Sequence, residues 1–178
     1  MRKYLVFPAL ALFLSLYSCE KLSEFTQFNL NYTASVTVPA TAGVDLPFDL
    51  FTPDIETNSE TEFETEKTSK DLLEEVKLTK LDLTITSPAE ANFDFLETIT
   101  VYLAAEGLPE IAIATKDMVE DGITETLSLD VIEDDLKDYI KTDGFKLRAN
   151  IKTDQEITEA ISIDVSTSFF IDARILGQ

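Results

Sequence analysis

From Phe28 onwards apolar and polar residues alternate with a period of two: Phe28, Leu30, Tyr32, Ala34, Val36 and Val38 fall on one face, Asn29, Asn31, Thr33, Ser35 and Thr37 on the other. Successive side chains of a strand point to opposite sides, so this stretch predicts a half-buried β-strand, ended by Pro39. The same period recurs along the chain. Pro47 to Phe51 predicts a short strand closed by Pro53, and Ile99, Val101 and Leu103 alternate with Thr98, Thr100 and Tyr102. Phe145, Leu147, Ala149 and Ile151 alternate with Lys146, Arg148, Asn150 and Lys152, a basic outer row whose simplest partners are acids on neighbouring strands. The longest run sets Ile161, Ile163, Val165, Phe169, Ile171, Ala173 and Ile175 on one side, with Phe170 interrupting the polar side as a small docking spot or a residue covered by a loop. Between Val76 and Ser87 the phase slips, from Val76 and Leu78 on even positions to Leu81, Leu83 and Ile85 on odd ones. One extra residue absorbs such a slip, so a β-bulge is expected near Thr79-Lys80.

The punctuation between these runs is that of a β protein. Ser87-Pro88 opens a turn, after which Phe93, Phe95 and Leu96 are expected to plug the bottom of the core. Glu106-Gly107-Leu108-Pro109 predicts a hairpin into Ile111-Ala112-Ile113, and Asp121-Gly122 a tight turn ahead of Leu127, Leu129 and Val131. Thr68 and Asp71 with Leu72, Leu73 and Val76 suggest one or two capped helical turns. A second brief helix carries Leu136, Tyr139 and Ile140 behind Asp134, Asp135 and Asp138, with Gly144 at its C′ position. Three close aspartates invite a metal, but acids are what a helix N-terminus prefers, and that structural role is favoured. Between Asp54 and Ser69 five glutamates interleave with threonines around Phe63, read as a solvated loop or a charge-guarded edge strand. The sum is an all-β fold: an immunoglobulin-like or Greek-key β-sandwich of about eight strands with one or two short helices.

The N-terminus is built differently. Met1 to Lys3 carries two positive charges, Tyr4 to Leu16 is apolar apart from Ser15, and the small residue Ser18 precedes Cys19. This is the layout of a secretory signal, and its apolar run falls short of the roughly 20 residues of a spanning helix. Leu16-Tyr17-Ser18-Cys19 resembles the lipobox of bacterial lipoproteins, with Tyr17 standing where a small residue is commoner. The resemblance implies that Cys19 is diacylated through sulfur, becomes the new N-terminus and is then acylated on its amine. It divides the chain into a signal peptide (1–18), a lipidated tether (19–25) and a β-sandwich domain (26–178). The lipobox followed by a Thr-rich, acidic β domain resembles small envelope lipoproteins of Bacteroidetes-type bacteria and implies an outer membrane address, facing either the periplasm or the outside.

Composition narrows the chemistry. The chain has 34 acidic against 14 basic residues and a formal net charge of -20, which becomes -22 once Arg2 and Lys3 leave with the signal. Nucleic acid is a poor partner for such a body. With no histidine and one cysteine, histidine-based triads, the usual zinc and haem ligand sets and intramolecular disulfides are ruled out. Five scattered glycines build no phosphate-cradling loop, so no cofactor is expected. The favoured function is a non-catalytic, lipid-anchored protein that binds or scaffolds another envelope protein, with the membrane as partner through its lipid. Two alternatives remain. A carbohydrate-binding accessory protein would stack sugars on Tyr102 or Tyr139, the chain having no tryptophan. A carboxylate-dependent hydrolase would need two converging acids, which no motif singles out. Cys19 is the only residue assigned a chemical role.

Overall fold

The computed structural model describes residues 27–40, 47–57 and 59–174. The lipobox, the tether, Gly43 and Ile175 lie outside the described residues. In chain order the elements are β1 (Gln27–Val38), β2 (Phe48–Phe51), β3 (Ile55–Glu56), α1 (Ser59–Thr65), a 3-10 turn (Lys70–Leu72), β4 (Leu73–Ser87), β5 (Leu96–Ala105), β6 (Ile111–Asp117), β7 (Thr126–Ser128), β8 (Asp130–Val131), α2 (Lys137–Ile140), β9 (Gly144–Thr153) and β10 (Ile161–Ala173). The strands form two antiparallel sheets, one in the order β1-β10-β4-β7, the other β2-β9-β5-β6-β8 with β3 also on β9.

The order has a simple origin. The chain is a long ribbon doubled back at the β5–β6 hairpin, where Gly107 takes φ +75. Its two halves pair strand by strand, β5 with β6, β4 with β7, β2 and β3 with β9, and β1 with β10. Rolling the ribbon sets β10 beside β4 and β9 beside β5, which completes the two sheets. Of the arrangements open at the sequence level this is a Greek-key one, the jelly roll, with two keys wrapped into one sandwich. Two more strands appear than the expected eight because two positions break in half. β2 and β3 are one strand interrupted at Pro53, and the β7–β8 strand changes sheets at Leu129, whose N–H donates to the Leu81 carbonyl at 2.9 Å.

The inward rows of both sheets make the core, and Leu81, Leu103, Phe145, Phe169 and Ile171 are each almost wholly buried. Tyr32, Phe145 and Phe169 meet edge-on, at centroid distances of 5.3, 6.0 and 5.9 Å, and fasten one sheet to the other. The bulge falls where the phase slip placed it: Lys80 pairs with Ser168 and Leu78 with Phe169, leaving Thr79 as the extra residue. Thr79 turns outward and its hydroxyl donates to the Ser168 carbonyl at 3.0 Å, so Leu78 and Leu81 both point into the core. Phe93, Phe95 and Leu96 are buried as expected. Phe170 is half-buried between Asn29 and Lys77.

Two expectations are corrected. The acidic stretch contributes the two-residue β3 at a sheet edge, but then forms helix α1, which buries Phe63 completely against the edge of Phe28, 5.8 Å away. Gly144 is the first residue of β9 and does not end α2; it pairs with Glu56 of β3 so closely that a Cβ there would lie 3.0 Å from the Ile55 carbonyl oxygen.

Candidate functional site

Cys19 lies outside the described residues, so the geometry available is that of the domain surface. The three tyrosines of the sandwich are largely occupied. Tyr139 is buried on α2 and its hydroxyl donates to the Pro109 carbonyl; burial and the nearby Asp138 and Asp134 raise its pKa. Tyr32 is wedged in the aromatic cluster, and burial, helped by Glu62, raises its pKa strongly. Tyr102 is half-buried, with the Arg148 guanidinium carbon 4.0 Å from its ring centroid. The face a sugar would use is therefore already covered by a cation.

Of the aspartates around the start of α2, Asp135 holds the fold together. Asp135 accepts the backbone N–H groups of Val76 and Lys137, both at 3.1 Å, and an ammonium hydrogen bond from Lys137 at 3.2 Å. Burial alone would raise its pKa, but these donors outweigh it and the carboxyl ends below its usual value. Its two backbone bonds tie α2 to the start of β4. Among the described residues no group of three or more acids or cysteines could hold a metal ion.

The most organised polar cluster lies on the outer face of the β2-β9-β5-β6 layer, around Arg148. Strand alternation turns Lys146, Arg148, Asn150 and Lys152 outward while Leu147, Ala149 and Ile151 face the core. Arg148 grips Glu110 with two parallel bonds, Nε to Oε1 at 2.9 Å and Nη2 to Oε2 at 2.7 Å, and reaches Asp49 with Nη1 at 2.8 Å. Asn150 donates to the same Asp49 oxygen at 2.8 Å. The hydrogen bonds from Asn150 and Arg148 hold the Asp49 carboxyl below the ordinary range, and Arg148 does the same for Glu110. Arg148 itself is raised and stays charged. On either side Lys146 pairs with Asp54 at 3.2 Å and Lys152 with Glu97. The basic row thus finds acidic neighbours, as its alternation predicts. Phe51, opposite Arg148 in the register, is 61% exposed, an apolar spot beside the cluster that the sequence pattern did not single out.

A surface groove of about 940 Å³ runs past the end of this row, between β3, the β5 end and the start of β9. Its charged walls are Asp54, Glu56, Glu106 and Asp143 against Lys70 and Lys146. Lys70 is held by the Thr142 carbonyl at 3.3 Å and Asp143 at 3.2 Å, so both lysines already face acids of the same chain. Mostly apolar linings characterise small-molecule pockets, and this groove is not of that kind. The apolar cavity inside the core, between Val36, Leu83, Phe95 and Val165, measures about 30 Å³. As for chemistry, the carboxyls of Asp49, Glu110 and Asp135 are shifted downwards, opposite to what a general acid near neutral pH needs.

No protein-family model matches the chain, and no curated protein does. Solved structures with a similar course include an acid-stable capsid of a Helicobacter pylori bacteriophage, at 11% identity over 81% of this chain and 92% of that one, TM-score 0.33. FLHE aligns at 9% identity over 82% of this chain and 97% of that one, TM-score 0.31. The infectious bursal disease virus VP2 subviral particle aligns at 14% identity over 83% of this chain, TM-score 0.40, and the chain spans 33% of that protein.

Proposed function

We propose that the protein is a non-catalytic, lipid-anchored domain of a bacterial cell envelope, held at the outer membrane through Cys19, whose sandwich binds or scaffolds another envelope component. The observation that carries this is the N-terminal order of basic residues, an apolar run and Leu16-Tyr17-Ser18-Cys19, with Cys19 the sole cysteine. Each buried acyl methylene contributes about 0.8 kcal/mol, and two or more chains turn marginal binding into a stable anchor. The domain surface supports a binding role in preference to catalysis. Its best-ordered polar groups, Arg148 with Asp49 and Glu110, and Lys70 with Asp143, satisfy one another, and the three displaced carboxyls favour the charged form. Sugar binding is supported less, since Tyr139 is buried and Tyr102 covered.

The test is lipidation. Cells fed an alkyne-bearing fatty acid should yield labelled wild-type protein in the membrane pellet, whereas Cys19→Ala should be unlabelled and leave the pellet on washing. An unlabelled wild type, or a Cys19→Ala variant retained as firmly as wild type, would overturn the proposal.

A further inference from the structure

Three of the four sheet edges among the described residues are short or broken. β7 and β8 have three and two residues, and β2 and β3 have four and two with Pro53 between them. β1 is different. It runs for 12 residues, stays in unbroken register with β10 from Gln27↔Asp172 to Val38↔Ile161, and among the described residues pairs on one side only. It holds no proline, no glycine and no charged residue, in a chain of which 27% is charged. Soluble proteins guard long edges with charge, proline, bulges, brevity or a covering element; β1 itself has none of the first four, and α1 lies beside its Phe28 to Asn31 end only.

Glu62 of α1 and Glu66 just after it flank its Phe28 to Asn31 end, and the acids beside it on β10 are engaged from the β1 side. Ser35 Oγ donates to Asp164 at 2.6 Å and Gln27 to Asp172 at 3.1 Å. The outward row is therefore neutral and hydrogen-bonding: Asn29, Asn31, Thr33, Ser35 and Thr37, all exposed.

We propose that β1 is a self-association site, on which a second copy of the chain lays its own β1 antiparallel, joining two four-stranded sheets into one of eight strands. The edge is complementary to itself. Directly opposed residues of an antiparallel pair share a face, so a two-fold axis must pass through a residue. With the axis at Thr33, Asn31 faces Ser35 and Asn29 faces Thr37 on the outer side, while Leu30 faces Val36 and Tyr32 faces Ala34 on the inner side. Moving the axis by one residue again sets neutral against neutral and apolar against apolar. Charge permits this meeting point: two bodies of net charge -20 repel, and with the axis at Thr33 the Glu62 and Glu66 that flank Phe28 to Asn31 of one copy come opposite Ser35 to Val38 of the other, a stretch with no charged residue. The remaining repulsion acts at longer range and is screened by salt. The inference goes beyond the anchoring role and stands whether or not Cys19 carries lipid.

The full chain, purified in detergent, is followed by sedimentation over a dilution series at low and high salt. The expected result is a dimer that tightens as salt rises, whereas docking of a basic partner would weaken. Thr33→Lys places two ammonium groups against each other at the axis and should weaken the dimer about tenfold or more. Circular dichroism checks that this variant is folded, and Asn31→Lys serves as a second, independently placed guard charge. In cells carrying two tagged copies, a photo-reactive phenylalanine analogue at Thr33 should give a cross-linked product bearing both tags. A monomer at every concentration and salt, a dimer indifferent to both lysine variants, or cross-links only to a different protein or within the chain would each overturn the proposal.

Discussion

Phe63→Ala tests whether the acidic segment is a packed element or a solvated one. Of the helix residues 61–65 only Phe63 is buried, at 0% exposure, while Thr61, Glu62, Glu64 and Thr65 are exposed. A helix of seven residues is well below the roughly 12–15 needed for even marginal stability alone, so α1 depends on that ring. A buried phenylalanine removes about 150–250 Å² from water, worth about 4–6 kcal/mol at 25 cal/mol per Å² as an upper figure. Truncations of this kind cost about 3–5 kcal/mol. A loss of about 3 kcal/mol lowers Tm by roughly 6–12 °C in a domain of this size. Urea unfolding measures the loss, and a protease specific for glutamate gives the location, since Glu60, Glu62, Glu64 and Glu66 lie in or beside α1. The variant should be cut there first and faster than wild type, whereas Glu64→Gln, at an exposed position, should shift stability by no more than about 0.5 kcal/mol. If Phe63→Ala costs under about 1 kcal/mol and the cleavage pattern is unchanged, the helix is not anchored as argued.

Arg148→Met should cost about 1–2 kcal/mol at neutral pH, because Asp49 and Glu110 lose their shared cation at a partly exposed site. It should also change the acid limb of the stability profile. Both carboxyls have folded pKa values below their ordinary 3.8 and 4.5, so their contribution is present above that range and disappears as pH falls through the folded values. Wild type should therefore lose more Tm than the variant between neutral pH and about pH 3, and equal losses would refute the coupling. Gly144→Ala puts a Cβ 3.0 Å from the Ile55 carbonyl oxygen and 3.8 Å from the Glu56 Cα, backbone atoms that yield only if β3 retreats. A cost of about 1–3 kcal/mol is expected, with faster amide exchange at Ile55 and Glu56; exchange equal to wild type would show that β3 does not need the close approach.

The strands were legible because most of them have one wet face. β1 and β9 each keep a strict two-residue period, β10 keeps it apart from Thr167 and Phe170, and the bulge at Thr79 was legible as a break in that period. Helix α1 was not, because one buried residue among positions 61–65 leaves no helical period to detect. Threonine hid part of the core for a related reason. Thr52, Thr57, Thr68 and Thr167 count as polar in any pattern yet are buried, and in the first three the hydroxyl serves backbone groups of distant segments: Leu147 N–H to Thr52 at 2.9 Å, Thr57 to the Thr142 carbonyl at 2.7 Å, Thr68 to the Arg174 carbonyl at 2.6 Å. Gly144 marks a place where a Cβ is unwelcome, and sequence alone cannot tell a left-handed turn from a closely paired strand. Strand order is set by pairings such as Gln27 with Asp172, whose partners are far apart in the chain, and alternation identifies faces without naming neighbours. The row from Lys146 to Lys152 was the exception, since its charge named the kind of neighbour it needed.

Charge also connects the anchor to the edge. Lys70, Lys116, Arg148 and Arg174 face carboxylates of their own chain, so the excess acids give the surface its sign. With Cys19 acylated as proposed, such a body is repelled by anionic headgroups and by its own copies alike. β1 begins eight residues after Cys19, and eight residues of chain reach no further than about 26–29 Å, so the neutral strand would stay near the membrane surface however the acidic remainder is repelled. A tether of that length confines neighbouring copies to one layer and raises their effective concentration there. The strand nearest the anchor is then the one on which like-charged copies can meet, since among the described residues it pairs on one side only.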